Sequence, residues 1–111
     1  MERLPPFALH RPTSVDEATA LLAGNPGARV IAGGTDLVPN LRRNIQKAQK
    51  LIDVSGLAEL REIRAESQSL RIGAGVTLEE LCESEAVRRQ APLLAQAAAQ
   101  VAGPTHRAAG T

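Results

Sequence analysis

The chain has 111 residues, is 43% hydrophobic, and sets 13 basic against 12 acidic residues for a net charge of +1. That length holds one small domain and hardly two, and the even charge balance gives nucleic acid or an anionic membrane no attractive field. Phe7 is the only aromatic residue. A base-stacking surface is therefore excluded, and Ala and Leu must supply most of the apolar volume of a helix-rich core. The single cysteine, Cys82, has no partner for an internal disulfide and no neighbouring cysteine for a metal or sulfide site. It reads as a small apolar residue on a helix. The N-terminus Met-Glu-Arg-Leu-Pro-Pro lacks an apolar leader core, and no stretch reaches the roughly 20 apolar residues of a bilayer span. A cytoplasmic protein without membrane contact is expected.

In chain order, Pro5, Pro6 and Pro12 make residues 4–12 extended. Ser14-Val-Asp-Glu17 is a capping box opening a helix with Val15, Ala18, Leu21 and Leu22 on one face, stopped at Gly24-Asn-Pro-Gly27. Arg29 to Ala32 is a short strand, and Leu37 to Ile45 a short helix with Pro39 in its first turn. Leu51 to Val54 is a second buried strand. A helix between two short strands is the arrangement that makes a parallel pair. After a helical turn at Leu57–Leu60 the period changes to two. Glu62–Glu66 and Ser69–Val76 read as an antiparallel hairpin. Thr77-Leu-Glu-Glu80 is a second capping box, and Pro92 precedes an Ala-rich helix over Leu93–Val101 closed by Gly103-Pro104. The segment from Thr105 to Thr111 reads as a loop. An isolated hairpin is marginal in water, so the chain reads as the first part of a longer polypeptide.

The stretch from Val30 to Val38 stands out. An apolar strand runs into Gly33-Gly34, then Thr35 and Asp36, then the apolar residues of the next element. Adjacent glycines let the backbone turn with positive φ and leave no Cβ between the amides and a ligand. Successive N–H groups in such a turn form a concave site for an anion, and Thr35 adds a hydroxyl donor. The loop is a candidate phosphate or pyrophosphate site, although it lacks both the GxGxxG spacing and a following Lys. Read without that role it is an ordinary strand-to-helix turn. His106 beside Arg107 reads as structural or as positioning a neighbour, Arg42-Arg43 as a solvated face, and Asp53 as a strand-end residue. No Ser/His/Asp set or metal-ligand constellation is present to suggest hydrolysis or direct metal catalysis.

Four segments in order resemble one family: Ile-Ala-Gly-Gly-Thr-Asp-Leu-Val-Pro, Leu-Ile-Asp-Val-Ser-Gly-Leu, Arg-Ile-Gly-Ala-Gly-Val-Thr and Val-Ala-Gly-Pro-Thr-His-Arg-Ala-Ala. The chain resembles, from Phe7 to Thr111, the FAD-binding subunit of the molybdenum hydroxylases. This group includes xanthine dehydrogenase, carbon monoxide dehydrogenase and 4-hydroxybenzoyl-CoA reductase, the last looking nearest in two segments. The resemblance implies an α+β fold of PCMH type, truncated here. A small α/β subdomain with short parallel strands, about residues 1–55, is followed by the start of an antiparallel-sheet subdomain, 56–111. It implies FAD as cofactor, with the pyrophosphate held by Val30, Ile31, Ala32, Gly33, Gly34, Thr35, Asp36 and Leu37. Val101 matches the family's apolar contact to the cofactor, and Thr111 the first residue of a second FAD loop.

The implied activity is electron transfer between FAD and the clusters of an iron–sulfur subunit, linked in turn to a molybdenum-cofactor subunit. No residue of this chain then has to act as acid, base or nucleophile. The family-like segment starts within ten residues of Met1, which favours the separate-subunit arrangement over a fused one. Two other readings stay open: a protein binding another phosphorylated nucleotide through the Gly-Gly loop, and a non-catalytic module docking a partner through Leu93–Val101.

Overall fold

The structure, a computed structural model, describes residues 7–35, 37–42 and 49–111. It divides into two compact units, Met1–Leu57 and Ala58–Thr111.

The first unit is built on a parallel sheet of β1 (Ala8–His10), β2 (Arg29–Ile31) and β3 (Lys50–Asp53), in the order β1-β3-β2. The extended N-terminal run is thus a third strand, pairing Leu9 with Leu51. α1 (Val15–Gly24) links β1 to β2, and α2 (Leu37–Arg42) links β2 to β3. These two connections cross the sheet in opposite directions, so right-handed crossovers put the helices on opposite faces. The central strand is consequently apolar on both sides, with Leu51 and Ile52 both buried. Leu41 of α2 packs with Leu51, Ile31 and Leu37. Removing a fully buried side chain such as Leu41 costs about 2–5 kcal/mol.

The first capping box forms differently from expectation. Ser14 Oγ accepts from Glu17 N–H at 3.1 Å. The Glu17 carboxylate, however, passes over Ser14 and accepts from the backbone N–H and the hydroxyl of Thr13, both at 2.9 Å. Those two hydrogen bonds, the backbone one first, hold its pKa below the ordinary carboxylate value.

In the second unit a 3₁₀ turn, Ala58–Leu60, leads into the antiparallel pair β4 (Ile63–Ala65) and β5 (Leu70–Ile72). Gly73 explains the glycines that follow β5. Its N–H donates to Glu62 O at 2.8 Å, and a Cβ added there would lie 2.1 Å from the Leu60 carbonyl oxygen. Only glycine admits that approach of two backbones.

Helices complete the unit. Thr77 and Glu80 form a full capping box at α3 (Leu78–Glu83). The helix that this box opens is short, and a second follows it directly. Ser84 leaves the helical region (φ −71°, ψ 122°), and its hydroxyl caps α4 (Glu85–Gln90) through Val87 N–H. α5 (Pro92–Ala99) packs on α3 and α4 around Val76, Leu81, Val87, Ala95 and Ala98. The segment expected as a loop after Gly103 is instead α6 (Pro104–Ala109), with Gly103 as N-cap and Pro104 in the first turn. Gly-Pro opens this helix, because proline at the first helical position gives up only an N–H that has no helical partner.

Candidate functional site

The Gly-Gly loop leaves the carboxyl end of β2, the edge of a parallel sheet at which open α/β folds hold their ligands. Ile31 O accepts from Val54 N–H at 3.0 Å, which pins the strand end to the segment after β3. Gly34 then turns with φ +74°, and its carbonyl accepts from Val38 N–H at 3.1 Å to start α2. A Cβ at Gly34 would meet Val38 Cγ2 at 3.0 Å and Ile31 Cδ1 at 3.4 Å. Gly34 therefore serves the turn itself. Gly33 and Thr35, on either side, are exposed.

The remaining loop residues divide by environment. Ile31 and Leu37 pack into the Leu41–Leu51 cluster, Ala32 is half-buried and Val30 is 44% exposed. Asp36 lies outside the described residues. Ile31, Ala32, Val38, Leu41 and Asp53 help line a largely apolar cavity of about 150 Å³ against the sheet. Asp53, opposite Ile31 in register, ends β3 there. Its carboxylate accepts from Ser55 N–H (2.9 Å) and Ser55 Oγ (2.6 Å) and pairs with Arg11 at 3.6 Å. Asp53 and Arg11 thus add a charged pair to the strand-end edge. The sequence indicated the strand end but not the pair, since Arg11 is brought there only by β1 joining the sheet.

In the second unit, Val101 follows α5 in a tight turn. It is 43% exposed, its N–H donates to Ala98 O at 3.3 Å, and Ala102 after it has φ +43°. Thr111 is exposed and follows the buried Gly110. Gly110 is held from both sides, its N–H donating to His106 O (2.6 Å) and its carbonyl accepting from Leu78 N–H (2.8 Å). His106 is exposed in the last turn of α6. Among the described residues no group of three or more His, Cys, Asp or Glu converges as metal ligands, and no helix is long and apolar enough to cross a membrane.

The turn fits a dinucleotide phosphate in kind. Two exposed residues, one of them carrying a hydroxyl, flank a left-handed glycine beside a largely apolar cavity at the carboxyl end of a parallel strand. Residues 5–111 match the family model for the FAD binding domain in molybdopterin dehydrogenase. The xanthine dehydrogenase FAD-binding subunit of Escherichia coli O157:H7 is 41% identical over 103 residues, covering 92% of this chain and 35% of that protein. The carbon monoxide dehydrogenase medium chain of Hydrogenophaga pseudoflava is also 41% identical, over 109 residues, covering 96% of this chain and 38% of the relative. Among solved structures, carbon monoxide dehydrogenase from H. pseudoflava superposes with a TM-score of 0.95 at 39% identity, covering 98% of this chain and 38% of the matched one. Quinoline 2-oxidoreductase from Pseudomonas putida 86 gives 0.95 at 34% identity, with the same coverage. The chain therefore spans little more than a third of the relatives it matches. It belongs to the family of FAD-binding domains of molybdopterin dehydrogenases.

Proposed function

We propose that the chain is the N-terminal part of an FAD-binding electron-transfer subunit in a cytoplasmic molybdenum-containing oxidoreductase. The observation that carries this reading is the left-handed Gly34 turn at the carboxyl end of β2, in a chain of this family. Residues 1–55 form one FAD-binding subdomain and 56–111 the beginning of a second.

Within the first, Gly33, Gly34 and Thr35 offer backbone N–H and hydroxyl donors to the pyrophosphate. Val30, Ile31, Ala32, Asp36 and Leu37 complete the loop, with Ile31 and Leu37 anchoring it in the core. In the second, Val101 gives the cofactor an apolar contact and Thr111 begins a second phosphate-binding loop. Bound FAD supplies one- and two-electron redox chemistry, while the protein binds, orients and tunes it. The chain's residues need only hold the cofactor and keep water from its apolar surface. An iron–sulfur subunit and a molybdenum-cofactor subunit are the partners that exchange electrons with it.

The test uses the intact subunit, purified free of molybdenum and loaded with FAD. It is expected to take electrons from an artificial donor, with bleaching of the flavin band near about 450 nm, and to turn over no organic substrate. Substrate turnover by that preparation, or failure to retain any flavin, would overturn the proposal.

A further inference from the structure

α5 ends without a basic residue in its last turn, and the chain leaves it through an alanine, Ala102, at φ +43°. Left-handed backbone is unfavourable for any residue with a Cβ, so a neighbouring group must hold it. That group is the half-buried Arg107. From α6 its guanidinium folds back over the preceding loop, and Nη1 donates to Ala102 O at 2.9 Å and to Val101 O at 3.2 Å. A positive charge just beyond the C-terminal end of α5 also opposes the helix dipole favourably. Both hydrogen bonds are charge-assisted, and Arg brings several donors in a fixed fork.

These contacts converge on Val101. Its carbonyl is fixed by Arg107, its N–H by Ala98 O, and its side chain is left 43% exposed. We infer that Arg107 is a positioning residue of the flavin site: by clamping the Val101 and Ala102 carbonyls it sets the direction in which Val101 presents its side chain. It touches no cofactor itself. The inference rests on the reading of Val101 as a cofactor contact, and its function would be to pre-set that contact before the flavin arrives. Thr105 and His106, on the same short helix, make no side-chain hydrogen bond to this turn among those seen.

Three variants of the intact subunit separate the possibilities: Arg107→Gln, Arg107→Lys and Val101→Asp. FAD affinity, the midpoint potential of the bound flavin and the melting temperature of the apoprotein are measured for each. The expected result is a loss of about tenfold in FAD affinity for Arg107→Gln, the equivalent of one well-made charge-assisted hydrogen bond. A shifted potential should accompany it, with a fall in the apoprotein melt that is small beside the loss of affinity. Arg107→Lys keeps the charge and one donor and should recover part of the affinity. An apoprotein melt that falls in step with affinity would make Arg107 a general structural staple and overturn the inference. So would wild-type affinity and potential in Arg107→Gln while Val101→Asp loses flavin, a result that leaves the Val101 reading standing. Wild-type affinity in Val101→Asp would remove that reading, and the inference with it.

Discussion

Gly34 and Ala102 both take left-handed backbone, and they do it by opposite means. In the first unit the position is Gly34, which has no Cβ to clash and reaches φ +74° without help from a distant side chain. In the second it is Ala102, which carries a Cβ at φ +43° and is held there by a guanidinium from the next helix. One turn is encoded locally by residue type and the other by a tertiary contact. A local code tolerates change around it but not at the glycine, whereas a tertiary code fails from a distance.

The largest effect expected from this contrast is at Gly34. Gly34→Val places a β-branched side chain at positive φ, with its Cβ 3.0 Å from Val38 Cγ2, and should cost about 2–3 kcal/mol. Chemical denaturation of the variant checks it, and a loss below about 0.5 kcal/mol, the range of an ordinary surface change, would mean that the turn is not locally encoded. Ala102→Gly should act with the opposite sign. Removing the Cβ relieves the left-handed strain, and a gain of about 0.5–1 kcal/mol is expected by the same method, partly offset by the added freedom of the unfolded chain.

The smallest effect concerns the two capping residues, Glu80 within its full box and Glu17 turned to Thr13. Folding lowers the Glu17 pKa, so its contribution is fully present above the ordinary carboxylate value. It is lost as pH falls through the lower folded-state value. Glu17→Gln should therefore lower the melting temperature slightly at about pH 7, and the difference should shrink as pH falls through the lowered folded-state value. A difference that persists in acid would show that the Thr13 contacts do not depend on the carboxylate charge.

The same division explains what the sequence disclosed. The Gly-Gly turn, the strands on either side of α2 and the period-two hairpin were legible, because glycine pairs, apolar runs and alternation are local signals. The α+β fold with a short parallel sheet followed by an antiparallel pair came through for that reason. Other features were not legible. The break at Ser84 was hidden because Ser-Glu within a helical pattern does not disturb its period. α6 was hidden because Gly103-Pro104 signals an end as strongly as a beginning. The Arg107 clamp depends on a side chain reaching back five and six residues, which no spacing rule announces. The glycine of Arg-Ile-Gly-Ala-Gly-Val-Thr had no evident purpose in sequence until the Leu60 carbonyl was seen against Gly73. The narrower likeness to 4-hydroxybenzoyl-CoA reductase rested on two short segments, and the relatives described above are of the xanthine and carbon monoxide dehydrogenase types.

The central claim is that the exposed part of the Gly33–Thr35 turn receives the FAD pyrophosphate. The most direct measurement is FAD titration of intact apoprotein carrying Gly33→Val, paired with its melting curve without flavin. Gly33 is exposed, so a side chain there should block the ligand more than it disturbs the core. The account expects FAD affinity to fall at least about tenfold, roughly 1.4 kcal/mol, while the apoprotein melt stays near that of the wild type. Wild-type affinity in a well-folded variant would contradict it.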